Sequence, residues 1–346
     1  MAGLPGAPAA ISSYGCDADG LICGYRLHPE RPAEPLSQAS EALPLHADSA
    51  AADGSVLWLH FNLSHAGAET WLRKHATDLP ESFFEALHES ASRSTRIERD
   101  GDCLLAVIND VTFDFSFEAS DLATLWLALS PGLVLSARRR PLRSVDRLRM
   151  AVRRGEPLGS GLELLTHLLN DQADELQRIV RQATQRVDEI EDALLAGRPE
   201  AQTAEIASLR RLMVRLQRLL APEPNALLRM LSRPPAWVAV EAREQLRRAS
   251  EEFALVLGDI AALQERIKLM QDESATRVAE ANNRSLFTLT MVTVLALPIN
   301  LVSGLFGMNV GGIPLAEHGR GFWIMLALIA GLTGAIAFLA LRRMRR

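Results

Sequence analysis

The chain has 346 residues, 23% of them charged, and a formal net charge of −5 at pH 7, with a mean hydropathy just above zero (+0.06). That length exceeds one ordinary core, and the apolar surplus sits toward the C-terminus, so part of the sequence is not designed for burial in a water-soluble domain. The acidic balance argues against a nucleic-acid partner, which calls for a basic face or stripe. Met1 to Ala10 is rich in Ala, Gly and Pro without a charged start or a continuous apolar run, so no secretory signal is read there and the N-terminus is expected to stay in the cytoplasm. Cys16, Cys23 and Cys103 show neither CxxC spacing nor the density of a disulfide scaffold, which fits a reducing compartment and makes a zinc site at Cys16 and Cys23 unfavoured.

Residues up to about Asp19 read as a loose head. From Leu21 to Val134, short apolar runs alternate with helical patterns, the signature of an α/β domain. Strands are predicted over Leu21 to Leu27, Val56 to Leu63, Cys103 to Phe117 and Leu122 to Ser136, and helices over Gly67 to His75 and Glu81 to Ser90, the second opened by Pro80. Arg138, Arg139 and Arg140 lead into helical sequence. Between Leu162 and Leu195 apolar residues recur at three and four among many charges, which predicts a long amphipathic helix of coiled-coil character. Gly197 and Pro199 end it, Ile206 to Leu220 is its antiparallel return, and Pro222 and Pro224 break the chain again.

From Trp237 to Phe306 the only proline is Pro298 and helix formers dominate, predicting one helix of about 70 residues. It begins charged and ends apolar. Leu286 to Phe306 holds no ionisable side chain and has the length needed to cross a hydrocarbon core; Phe322 to Leu341 is a second such run. Arg277 and Arg284 precede the first, and Arg342, Arg343, Arg345 and Arg346 follow the second, so by the positive-inside rule both ends are cytoplasmic and the short connector is outside. The expected organisation is a cytoplasmic α/β domain with its head (1–160), antiparallel helices (161–235), a stalk helix continuing into a first transmembrane segment (236–306, the span from about 286), a periplasmic loop (307–321), a second span (322–341) and a basic cytoplasmic tail (342–346).

Two spans cannot enclose a pathway alone. Asn283, Leu286, Thr290, Thr293, Leu297, Asn300 and Gly304 nevertheless follow a strict alternation of three and four, the spacing of a coiled-coil seam at which several copies of one helix meet around an axis. Polar groups on that seam then face water or one another instead of lipid. The alternative is that Thr290 and Thr293 bond back to carbonyls one turn earlier and that Asn300 mends the backbone beside Pro298. Continued inward, the spacing passes Ala279, Thr276, Asp272, Leu269 and Glu265. Asp272 and Glu265 are candidates for an acidic inner lumen, against the alternative of a solvated charged face.

At the outer end stands Gly307-Met308-Asn309, followed by Gly311-Gly312-Ile313-Pro314. As local chemistry this is a helix C-terminus with glycines supplying the turn. Placed between two apolar runs at the end of the chain, it resembles the GMN signature of the CorA superfamily of divalent cation transporters. Trp58-Leu59-His60-Phe61-Asn62, Trp71-Leu72, Leu133-Val134-Leu135-Ser136 with its arginine-rich exit, and Gly304-Leu305-Phe306 are similar to the ZntB-like branch. So is Val310-Gly311-Gly312-Ile313-Pro314, in which no aromatic follows the Asn. Glu317 is displaced from the acidic position of the magnesium-type pattern.

The resemblance implies a funnel-shaped homopentamer in the bacterial inner membrane, with an α/β cytoplasmic domain, a pore lined by long helices, an outer ring of second spans and zinc uptake coupled to protons. Its partners are further copies of itself, the lipid bilayer and the transported ions, with no resident cofactor. Asn309, with Gly307 and Met308, is the expected ion-contacting turn at the mouth. The seam offers amide, hydroxyl and backbone oxygens and leucines instead of the Cys and His ligands that zinc prefers, so an ion there keeps much of its water and discrimination among Zn²⁺, Co²⁺, Ni²⁺ and Cd²⁺ is expected to be weak. Glu317 and His318 are a candidate capture site outside, against the alternative of solvated loop residues. Neither span contains a titratable side chain, so a proton relay of the usual kind is absent and coupled protons would travel through pore water or act at the ends. Competing readings are a CorA-like magnesium or cobalt channel and a non-conducting membrane-anchored scaffold or sensor. An enzyme is not expected, because no P-loop, dinucleotide fingerprint, HExxH or nucleophile elbow occurs.

Overall fold

The computed structural model describes residues 15–42, 54–88, 95–118, 120–196, 203–308, 314 and 319–344. They fall into two compact units divided between Met270 and Gln271. The first is built on a sheet of seven strands: β1 (Leu21–Leu27), β2 (Glu34–Leu36), β3 (Val56–Asn62), β4 (Arg96–Asp100), β5 (Cys103–Val111), β6 (Leu122–Ser130) and β7 (Leu133–Arg138), in the order β2-β1-β3-β7-β6-β5-β4. Only β3 and β7 are parallel neighbours. Every residue of β3 is buried, as expected of a central strand covered on both faces.

One face is covered by α1 (Ala66–His75) and α2 (Glu81–His88), which bury Trp71, Leu72, Phe83 and Leu87 against Leu57, Leu59 and Phe61. The other face receives α3 (Arg143–Arg153), α4 (Gly161–Leu195), α6 (Pro222–Ser232) and the start of α7 (Val240–Phe306), with Leu148, Leu165, Leu227 and Leu246 packed over Trp58, Leu125 and Leu127. Beyond the sheet edge, α4, α5 (Thr203–Leu220) and α7 share a third core around Ile179, Leu212, Phe253 and Ile260. The N-terminus of α4 is fixed by Ser160, whose hydroxyl accepts from the Glu163 amide at 3.1 Å, and by Glu163, whose carboxylate accepts from the Gly159 amide at 2.8 Å. The second unit consists of the rest of α7 and of α8 (Gly321–Met344).

Several expectations are corrected. The run Leu122 to Ser136 is two strands, because Pro131 and Gly132 (φ 85°) form a two-residue turn that pairs Ser130 with Leu133. The strand from Cys103 stops at Val111, beyond which Asp121 gathers the amides of Ser116 (2.7 Å) and Glu118 (3.2 Å) into a turn. Pro222 and Pro224 open α6 instead of breaking the chain, since proline loses nothing in a first helical turn. The last residues of the head are ordered: Asp17 accepts from the amides of Leu21 (2.7 Å) and Ala39 (2.9 Å), and Cys16 is buried. Among the described residues no group of three or more His, Cys, Asp or Glu is placed to hold a metal ion.

Candidate functional site

Helix α7 carries two stripes at the same spacing, one buried and one exposed. In the first unit Leu246, Ala249, Phe253, Val256, Ile260, Leu263, Ile267 and Met270 are buried at alternating three and four, and they fasten the helix to the domain. A second stripe runs two residues out of step with the first, about 200° around the helix at about 100° per residue. It begins at Leu255 and continues through Gly258, Ala262, Glu265, Leu269, Asp272, Thr276 and Ala279 to Asn283, Leu286, Thr290, Thr293, Leu297, Asn300 and Gly304, and all of these residues are exposed in the single chain. In the first unit Leu255 (73%) and Leu269 (61%) are the exposed leucines of this helix, and both lie on this one stripe, at the spacing of a coiled-coil seam.

The stripe therefore begins three positions earlier in its pattern than the sequence reading placed it, at Leu255, Gly258 and Ala262. The signal that finds them is the same alternation of three and four carried back three more steps. Glu265 lies on the stripe with an ion pair to Lys268 (3.3 Å), and Asp272 is exposed one turn beyond Leu269. Arg266, one position off the stripe, reaches across to Asp188 (2.7 Å) and Glu191 on α4, lining a cleft of about 500 Å³ with Arg181, Gln185 and Asp259.

In the second unit the chain around Leu286 to Phe306 is uncharged and its most apolar window has no buried residue, and α7 is long and apolar enough to cross a membrane. Thr290 and Thr293 donate to the carbonyls of Leu286 (2.8 Å) and Leu289 (2.9 Å). In the single chain the back-bonded arrangement is thus the one adopted; each hydroxyl oxygen keeps a lone pair for a further donor. Pro298 is accommodated inside the helix, where it deprives the carbonyl of residue 294 of its partner. Among the described residues nothing lies within 4 Å of a Cβ built on Gly304, its own helical backbone aside. At Gly307 the reverse holds: a Cβ there stands 3.0 Å from the Ser303 carbonyl oxygen, while the Gly307 amide donates to that same oxygen at 2.9 Å. Glycine is thus the residue that lets the helix close its last turn tightly. Met308 follows, 53% exposed. Asn309, Glu317 and His318 lie outside the described residues.

An α/β domain whose last helix runs on into an uncharged segment long and apolar enough to cross a membrane is the arrangement the chain presents. The family model described as CorA-like Mg2+ transporter protein matches residues 53–345, and the chain belongs to that family of divalent cation transporters. It is 27% identical over 277 residues to the divalent cation transporter CmaX of Pseudomonas aeruginosa, covering 80% of this chain and 83% of that one. To the zinc transport protein ZntB of Yersinia pseudotuberculosis it is 25% identical over 295 residues, covering 85% and 89%. The solved structure of the full-length CmaX protein superposes with a TM-score of 0.77 at 26% identity, covering 95% of this chain and 99% of that one. The similarity thus includes the ZntB-like branch singled out by the sequence around Trp58 and Gly307.

Proposed function

We propose that this divalent cation transporter takes up zinc through a central pore formed by several copies of α7, most simply five, in a bacterial inner membrane with both chain ends in the cytoplasm. The observation that carries the proposal is the exposed stripe from Leu255 to Gly304. In the water-soluble part its leucines and small residues need partners, and in the apolar part the same stripe turns to Thr, Asn and Gly, where a lipid-facing helix has no use for them. One self-association therefore explains both halves.

In this arrangement Thr290, Thr293 and Asn300 contribute rings of oxygens, and Leu286 and Leu297 contribute apolar constrictions between them. With no thiolate, imidazole or carboxylate in the span, selection rests on charge and on the hydration shell instead of ligand softness. The converging C-termini of α7 place the negative ends of their dipoles at the outer mouth, which favours a cation. There the Asn309 amides hold the hydrated ion, with Gly307 and Met308 shaping the turn and Glu317 with His318 as the capture site. Glu265 and Asp272 give the inner lumen a negative lining. Protons, where coupled, move through the hydrated pore, because the spans hold no titratable relay.

The zinc reading is supported by the similarity to ZntB proteins and by the Val310-Gly311-Gly312-Ile313-Pro314 turn. A magnesium reading is favoured by the description of the family model alone. Thr290→Cys and Asn300→Cys, in a background without Cys16, Cys23 and Cys103, are expected to react with a water-soluble thiol reagent and to lose flux on reaction. Labelling of cysteines at Leu289 or Val292, with those two inert, contradicts the helix rotation proposed here.

A further inference from the structure

Between the sheet and the helices of the first unit lies a group of buried polar side chains that transport does not use. Glu223, in the first turn of α6, is fully buried (0% exposed), and so in effect are Asp110 on β5, Gln172 on α4 and Thr95 just before β4. The Asp110 carboxylate is well served: it accepts from the Val111 amide at 2.7 Å and from the Ser144 amide in the first turn of α3 at 3.1 Å. Gln172 donates its amide to the Asn109 carbonyl at 2.6 Å. Glu175, one turn along α4, is clamped by Arg143, Arg147 and Arg178. On β4, which packs against α6, Arg96 pairs with Glu98 at 3.6 Å and the Arg99 side chain donates to the Gly101 carbonyl.

Glu223 alone does not balance as a carboxylate. Its Oε2 lies 3.1 Å from the Thr95 hydroxyl oxygen, which is also 3.3 Å from the Leu219 carbonyl oxygen on α5. A threonine hydroxyl has one proton to give, so an ionised Glu223 and Leu219 compete for it. The second carboxylate oxygen, Oε1, makes no hydrogen bond of acceptable length and angle. An ionised group in that position leaves charge buried and under-served. Protonating Oε2 resolves the count: Glu223 donates to Thr95, and Thr95 donates to Leu219.

We propose that Glu223 is a proton-binding site of the soluble unit, occupied at neutral pH and emptied in mildly alkaline conditions, and that its ionisation loosens α6 from β4. The electrostatics agree with the geometry. Burial pushes Glu223 up to about 8, with the Thr95 hydroxyl opposing the rise, Asp110 adding to it and the Gln172 side-chain amide opposing it again. Burial likewise raises Asp110, to about 6, against the opposing hydrogen bonds from Ser144 and Val111 and with the Glu175 charge adding to the rise. Burial raises both acids, Glu223 the further, so ionising Glu223 adds a negative charge to a buried region in which Asp110 already opposes it. Because the folded value of Glu223 lies above the ordinary 4.5, the folded chain binds a proton that the unfolded chain has released. Its stabilising effect is complete below the ordinary value and is lost as pH rises through the folded value.

The test is an infrared titration of the full-length protein in detergent, following the carbonyl stretch of a protonated carboxylic acid from pH 6 to 10. A band that disappears with a midpoint near 8 and is missing in Glu223→Gln is the expected result, accompanied by faster amide exchange in Pro222–Ser232 and Arg96–Asp100 at pH 9 than intrinsic rates explain, in wild type only. A wild-type chain without such a band at pH 7 overturns the proposal. Should Glu223→Gln fail to fold, Thr95→Val replaces it: the Thr95 hydroxyl is the partner of Glu223 Oε2 in either protonation state, so its removal must move the midpoint, and an unmoved midpoint assigns the band to another acid and overturns the proposal equally.

Discussion

Asn309→Ala is expected to lower divalent cation uptake to below about a tenth of wild type while the assembly keeps its size. Gly307 ends α7 with a tight turn whose geometry does not depend on the next side chains: its amide closes on Ser303, and the helix is held to the soluble unit by residues from Leu246 to Met270. Under the proposed function the substitution takes from each copy one neutral amide oxygen at the mouth of the pathway, where the arriving cation keeps its water, and the next oxygens along the stripe are those of Asn300 and Thr293. Uptake beside size-exclusion chromatography makes the measurement. A correctly assembled variant with wild-type uptake removes Asn309 from the pathway.

Gly304→Leu is expected to be nearly as damaging, for the opposite reason. A Cβ at Gly304 meets nothing within 4 Å among the described residues, so the substitution is compatible with a folded monomer and adds helix propensity relative to glycine. In a bundle the same position faces its copies across the axis, and a leucine from every chain fills the space through which the ion passes. Flux is expected to drop to below about a tenth, with the soluble unit's thermal unfolding unchanged. Unimpaired flux with full assembly places Gly304 on the lipid side and rotates the whole stripe with it. The same substitution at Gly258 lies outside the membrane segment but on the same stripe, and it distinguishes a defect in assembly from a blocked lumen.

The parts of this molecule that were legible in the sequence are those in which one physical rule acts alone. The length of α7 followed from a run with a single proline, and its exposed stripe from the 3,4 spacing of Asn283 to Gly304, because helical periodicity is a local property. The turn at Pro131 and Gly132 was hidden inside a continuous apolar run, since both flanking strands are buried on both faces and show no alternation to interrupt. Strand β4, Arg-Ile-Glu-Arg-Asp, has no apolar pattern because it is an edge strand whose partner supplies the order. Pro222 was ambiguous between a break and a first helical turn, and the contacts of α6 with β4 decide for the latter. Glu223 could not be found: an acid in a first turn reads as a surface partner of the helix dipole, and only the three-dimensional structure shows it enclosed beneath Thr95. In the candidate pathway, spacing finds Thr290 and Asn300, whereas Asn309, Glu317 and His318 were singled out by resemblance and by chemistry alone.

We propose that this chain by itself moves divalent cations through a pore of its own copies. Purified protein in liposomes carrying internal zinc and magnesium indicators tests it most directly, with and without a pH gradient acid on the outside. The account predicts entry of zinc faster than that of magnesium, increased by the gradient and stopped by thiol modification at Asn300→Cys. Liposomes that contain the correctly assembled protein and admit neither ion contradict it.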